Sequence, residues 1–500
     1  MKLYFLKKFS WNRMMILGIV AGSLFFTSWF FYPIRIRSQS EQSIQTQEPW
    51  MTVFVHGTFG SMLGFLSFFN VLEDKTEGTL YRELTNKMRD DEFFYKDNIM
   101  MPRGLTRIHP TWDNKKIGKQ YAAYPILQAY ADVQEAVAPG QRINYFYTFG
   151  WSGLLSQNNR LFEAIRFFNA LCEERDRLIK EGINPKICII CHSHGGNVAL
   201  NLGAILLALG LNWSDDTAVD KLALPEPVKE NIKKLIKFLK DLPNKEIAKT
   251  KTGQEVYDYV PTQKQLEIDE LILLGTPIQQ ETAPFAFTSF KKTINVYSSA
   301  DLVQRADWVS SQQPISQQRL AVDLFGSKQK DAPNSTVKQV RLSMELPVIN
   351  GMLSFPDQEN GQALAAKHET SIFEDWLSGK NVFTQETKDP THKDLWYAGW
   401  EDQPKTFLHP LPAVVLVPLL RKLLDETKDL TDCDATFNVE GQTITAAIAD
   451  FGAIKKEVKH TVQLNRSVID EARKKLEMWR PPVATPQTHF EKSYKHLNGD

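Results

Sequence analysis

KICIICHSHGGNVALNLG, residues 186–203, is the stretch on which the reading of the whole chain turns. Lys186 to Cys191 is short, apolar after its first residue and rich in isoleucine, the composition of a strand buried on both faces. Gly195 to Leu211 is a long, very apolar run with the length of a helix. His192, Ser193 and His194 must therefore turn the chain sharply from strand to helix. Cys188 and Cys191 have C-x-x-C spacing, but residues three apart on a strand face opposite sides, so the thiols cannot share a metal or a disulfide. They read as small buried hydrophobes.

Working outward, strands and helices alternate. Trp50 to Val55 reads as a buried strand entering the tight loop His56-Gly57-Thr58-Phe59-Gly60, and Arg142 to Gly150 as a second strand. Gln157 to Glu181 has helical spacing, with Leu161, Ile165, Phe168, Leu171 and Leu178 on or near one face. Downstream strands are expected at Glu270 to Leu274, running into Gly275-Thr276-Pro277, at Thr293 to Ser298 and, more weakly, at Val337 to Leu342. Such alternation implies an α/β fold, a mostly parallel central sheet with helices on both faces. The stretches 61–141, 212–265 and 303–390 read as long lid or cap insertions, the middle one carrying a charged amphipathic helix at Glu226 to Leu242. The expected organisation is a basic flank (1–13), an apolar segment (14–32), a tether (33–48), the α/β domain with its insertions (49–425) and a C-terminal extension (426–500). That extension carries a short hairpin, Ala435 to Ala446, and a charged helix around Arg466 to Trp479.

Composition sets outer limits. With 42% hydrophobic and 24% charged residues, the 500-residue chain is neither disordered nor a multi-span membrane protein. Its 59 basic and 59 acidic residues cancel, so no global field draws it to nucleic acid. Four cysteines, Cys172, Cys188, Cys191 and Cys433, are too few for a disulfide framework.

A serine hydroxyl is a poor nucleophile until a neighbouring base takes its proton, and a sharp strand-to-helix turn exposes it to such a base. Small residues two before and two after the serine relieve the crowding of that turn, giving G-x-S-x-G. Here the pattern is Cys-His-Ser-His-Gly, with Cys191 in the first glycine position. Ser152, in Gly150-Trp151-Ser152-Gly153, has its second glycine one residue early and reads as part of a loop lining the site. CHSHGGNVALNLG, the upstream VFVHGTFG and the downstream LLGTPI together resemble the lipase and esterase branch of the α/β-hydrolases, over roughly residues 50 to 420. The resemblance implies an α/β-hydrolase fold with Ser193 as nucleophile. It also implies an oxyanion hole made by the backbone N–H groups of Thr58 and His194.

The same resemblance implies the chain order serine, acid, histidine. Asp301, directly after a buried strand, is the expected acid, with Asp307 in reserve. His368, His392 and His409 are all open as the base. His392, in DPTHKDLW, comes first because it sits in a turn leading to an apolar segment; His409 is the alternative. His192 and His194 read as packing and hydrogen-bonding residues around the turn. No H-E-x-x-H and no G-x-x-x-x-G-K-[ST] occurs, so neither metal nor cofactor is expected.

Met14 to Tyr32 is the one uncharged stretch long enough to span a bilayer as a helix. Lys2, Lys7, Lys8 and Arg13 before it outweigh Arg35 and Arg37 after it, which favours a cytoplasmic N-terminus with the catalytic domain across the membrane. A cleaved secretory signal is the rival reading. The expectation is thus a membrane-anchored serine hydrolase acting on ester or lipid-like acyl substrates. A triad-dependent acyltransferase and an inactive binding module of the same fold are the alternatives.

Overall fold

Strand β1 (Glu48–Val55) hydrogen-bonds on one side to β3 (Arg142–Gly150) and on the other to β4 (Lys186–His192), parallel to both. The sheet grows in opposite directions from this point. Beyond β3 lies β2 (Gly104–Ile108), antiparallel; beyond β4 come β5 (Glu270–Leu274), β6 (Lys292–Tyr297) and β7 (Thr336–Ile349), all parallel. Where strand order reverses in this way, the flanking loops diverge and leave a crevice at the carboxyl ends of the strands. Here the reversal falls at β1, and the carboxyl ends of β1 and β4 bring Gly57 and Ser193 against each other.

The computed structural model describes residues 47–57, 104–109, 123–151, 157–215, 217–241, 261–262, 264–301, 304, 318–320, 336–349, 383–388, 390, 392, 395–396, 412–428, 430–440, 443–451 and 458–478. All belong to the unit Gln47–Asp500. Among them no helix is long and apolar enough to cross a membrane; the apolar segment 14–32 lies outside them.

Strand residues alternate between two cores. Cys188 and Ile190 of β4 and Ile272 and Leu274 of β5 face a core closed by α1 (Ala123–Val137), α6 (Ala413–Glu426) and α7 (Arg466–Met478). Ile187, Ile189 and Cys191 of β4 and Leu271 and Leu273 of β5 face the other core, closed by α2 (Gln157–Lys180), α3 (Gly195–Leu209), α4 (Glu226–Asp241) and the short α5 (Phe285–Thr288). The two cysteines of the C-x-x-C thus lie on opposite faces, as strand geometry requires. Helix α3 buries most of its residues because it lies between the sheet, α2 and α4. Each fully buried leucine there contributes about 1.5–3 kcal/mol.

Three segments differ from expectation. Residues 61–141 contain β2 and α1, and α1 buries Ile126, Leu127, Tyr130 and Val133 in the main core. That stretch therefore carries body elements of the domain as well as inserted sequence. The amphipathic helix of the middle insertion, α4, lies on α3 with Val228, Ile232 and Leu235 buried. The C-terminal extension continues the sheet. β9 (Asp432–Glu440) pairs in parallel with β7, β10 (Thr443–Asp450) and β11 (Val458–Asn465) follow antiparallel, and α7 lies beside α1. β8 (Phe383–Lys388) pairs antiparallel with the part of β7 that runs past the end of β6.

A cluster of charge is buried where β3, β5 and β6 begin, at the opposite end of the sheet from Ser193. Glu270 lies 2.8 Å from Arg421, 3.4 Å from Arg142 and 3.6 Å from Lys292, and Arg421 also donates to the Tyr130 hydroxyl at 2.9 Å. Burial by itself would raise the Glu270 pKa, but these cations hold it down at about 2.

Candidate active site

Ser193 stands between the end of β4 and the start of α3 with φ of 52°, and it is the one non-glycine residue with positive φ among the described residues. Left-handed backbone costs a residue with a Cβ about 1–2 kcal/mol. Its surroundings hold it there. The Ser193 N–H donates to Leu274 O at the end of β5 at 2.9 Å, and Ser193 O accepts from Gly196 N–H at 3.0 Å. β1 and α3 approach the turn so closely that two of its neighbours must be glycine. A Cβ on Gly57 would lie 2.6 Å from Ser193 Cβ, and one on Gly195 would collide with the His56 carbonyl oxygen. Cys191 is fully buried among the apolar residues facing α2 and α3, and burial pushes its thiol well above the usual pKa. It acts there as a small hydrophobe.

Asp301 and His392 come together above the ends of β5 and β6. Asp301 is fully buried, His392 Nδ1 lies 2.8 Å from Asp301 Oδ2, and Asp301 Oδ1 accepts from the Gln304 N–H at 3.0 Å. A carboxylate accepts hydrogen bonds, so the shared proton belongs on Nδ1, which leaves Nε2 with a lone pair on the far side of the ring. The histidine arrives by way of β8, four residues before it. Leu395 and Trp396 just beyond it are fully buried, and Leu395 O accepts from Val414 N–H at 3.0 Å. Gly275 lies between Asp301 and His392 with φ of 60°. A Cβ there would be 2.8 Å from Asp301 Oδ2, 3.2 Å from His392 Nδ1 and 2.6 Å from Leu395 Cδ1.

The loop after β1 is clamped by a buried pair. Trp151 donates from Nε1 to His56 O at 2.8 Å, and the two rings stack with centroids 5.6 Å apart. Burial lowers the His56 pKa to about 4, so the ring is neutral at pH 7. Its Nδ1 is 2.6 Å from Gly57 O, while Nε2 is 3.1 Å from Trp151 O and 3.3 Å from Trp151 N. A neutral ring has one N–H. The short contact to Gly57 O puts it on Nδ1, and Nε2 then accepts from the Trp151 amide.

His194 is the N-cap residue of α3. Its Nδ1 is 3.2 Å from Asn197 Nδ2, and Asn197 also donates to Pro277 O at 2.9 Å and accepts from the Thr282 hydroxyl at 3.0 Å. This chain ties the first turn of α3 to the loop after β5. Thr58, Ser152, Asp307, His368 and His409 lie outside the described residues.

Several supporting residues escaped sequence reasoning. Gln304 follows Asp301 with D-x-x-Q spacing, a helix N-cap pattern that would have identified it. Gln318 Nε2, which donates to Ser298 O at 2.7 Å and Asp301 O at 3.3 Å, has no such signal. His192 Nε2 is 3.0 Å from the His392 carbonyl oxygen, a contact across 200 residues that no local pattern marks.

Fold and site together define an α/β protein with a strained serine at a strand-to-helix turn and a buried aspartate–histidine pair at the same end of the sheet. No family model matches the chain, and no curated protein or solved structure matches it either. Among the described residues no group of three or more His, Cys, Asp or Glu side chains could hold a metal ion.

Proposed function

We propose that this chain is a serine hydrolase of the α/β-hydrolase type that cleaves carboxylic esters through an acyl-serine intermediate. The observation that carries the reading is the His392–Asp301 pair, met in the chain order serine, acid, histidine, beside a serine held at positive φ. His392 Nε2 takes the proton of the Ser193 hydroxyl as the oxygen attacks the acyl carbonyl. Asp301 keeps the imidazole in the reactive tautomer and stabilises its cation. The backbone N–H groups of His194, at the start of α3, and Thr58, just past the clamped Gly57, receive the developing oxyanion. His392 then returns the proton to the departing alkoxide, and water activated by the same nitrogen releases the acid.

The apolar segment 14–32 is read as an uncleaved anchor that holds the domain beside a bilayer, where lipid-like acyl substrates are concentrated. Inserted sequence between the sheet elements then serves as lid or cap over the acyl site. The nucleophile is tested with an alkyl fluorophosphonate, which phosphonylates an activated serine. Wild type should label and Ser193→Ala should not; equal labelling of both would remove Ser193 from the mechanism. Hydrolysis of esters of graded acyl length by the labelling-competent protein then tests the substrate class.

A further inference from the structure

His192 immediately precedes the serine and is read from sequence as a packing residue. Its surroundings assign it more. It is the last residue of β4, 5% exposed, and its Nε2 lies 3.0 Å from the main-chain carbonyl oxygen of His392. A carbonyl oxygen can only accept, so the His192 proton sits on Nε2. The ring packs against two partners, with its centroid 4.6 Å from that of His392 and 5.4 Å from that of Trp396, nearly parallel to the latter at 20°. Its other edge faces Gly57, just past the end of β1, where a Cβ would lie 3.0 Å from Nδ1.

The His392 imidazole is held by Asp301 at one nitrogen. A single hydrogen bond leaves the ring free to swing about the Nδ1 to Oδ2 line, carrying Nε2 away from the serine. A second attachment, on the main chain of the same residue, removes that freedom. We propose that His192 is a positioning residue, whose Nε2–H donated to the His392 carbonyl fixes the base relative to the serine that follows His192 in the chain. Because His192 and Ser193 are neighbours on one turn, any movement of the elbow carries the histidine loop with it, and the distance between nucleophile and base is conserved. Burial lowers the His192 pKa well below the ordinary value, so the ring remains a neutral donor and adds no charge to compete with the imidazolium. This inference rests on the assignment of Ser193, Asp301 and His392 as a triad.

The test is the rate of alkyl fluorophosphonate labelling of the full chain, followed by intact mass, with thermal melting of each variant alongside. His192→Phe keeps a ring against Trp396 and removes the donor. His192→Gln keeps an N–H near the Nε2 position and removes the ring. Labelling of His192→Phe should slow by about ten- to a hundred-fold, as for a base displaced by a fraction of an ångström to an ångström. His192→Gln should recover most of that loss. If His192→Phe melts far below wild type, His192→Met, of similar length and without a donor, replaces it in the comparison with His192→Gln. Equal rates for wild type and the donor-less variant would overturn the positioning role while leaving the hydrolase reading intact, as would equal losses in the donor-less and Gln variants. A folded wild type that does not label would overturn the triad assignment and this inference with it.

Discussion

Replacing Gly275 by alanine concentrates two separable penalties at one position. The first is conformational: φ is 60°, and a left-handed alanine costs about 1–2 kcal/mol. The second is steric. The new methyl would sit 2.6 Å from Leu395 Cδ1 and 2.8 Å from Asp301 Oδ2, where carbon contacts ordinarily settle at about 3.5–4.0 Å. Relief requires the acid or the histidine loop to retreat by on the order of 1 Å, and a misplacement of that size costs about 10²-fold in rate. Gly182 supplies the control. It follows α2 with φ of 82° and has nothing within 4 Å of its missing Cβ, so Gly182→Ala carries the first penalty without the second. Thermal melting should therefore drop in both variants, while fluorophosphonate labelling should slow about 10²-fold in Gly275→Ala and stay at the wild-type rate in Gly182→Ala. Labelling of Gly275→Ala within two-fold of the control would show that the contacts around the acid and base do not govern reactivity.

Asp301→Asn keeps the acceptor for the Gln304 N–H but presents an amide N–H to His392 Nδ1, which moves the histidine proton to Nε2; ester hydrolysis should fall about 10⁴-fold with little change in melting. Glu270→Gln leaves Arg421 buried without its counter-charge and should destabilise the fold by about 3–5 kcal/mol in denaturant titrations. Because the folded pKa of Glu270 is held at about 2, below the ordinary 4.5, wild type should lose its advantage over Glu270→Gln as pH falls from 4.5 through 2. His56 has the same sign for a different reason: below pH 6.5 the unfolded chain takes up a proton that the folded ring refuses until about 4. Stability should fall across that interval, and His56→Asn, whose side-chain amide can still donate to Gly57 O, should flatten part of the fall.

The central strands were legible because each is a short apolar run ending in a turn, and the elbow because its chemistry is local. The flanks were harder. Helix α1 begins AYP, and Pro125 near its start looks like an interruption although a proline in the first turn is well tolerated. The sequence shows only the first part of β7, Val337 to Leu342, since Pro347 argues against a strand, yet Pro347 lies in the segment Leu346 to Ile349, past the pairings with β6 and β9, where β8 is the partner strand. The hairpin of β9 and β10 was readable as a hairpin. Its attachment to β7 was not, because parallel pairing between distant segments leaves no periodic trace. The same holds for the histidine that meets Asp301: His392 lies 91 positions further along the chain, and only the turn before Leu395 and Trp396 hinted at it.

That separation has an evolutionary meaning. Both ends of the connection are fastened, Asp301 by Gln304 and Gln318 and His392 by β8, His192 and the buried Leu395. Closing a loop whose ends are already fixed becomes only slowly harder with length, by about 0.6 kcal/mol for each doubling. A lineage can therefore lengthen, shorten or exchange those stretches of the span that lie outside β7, β8 and the residues fastening Asp301 at little cost to the fold, whereas an insertion between Gly57 and the β1 residues behind it, or between Ser193 and Gly195, would part groups that the fold brings together. Diversification of this ancestry should be concentrated in those stretches, with β7 and the elbow inherited nearly unchanged.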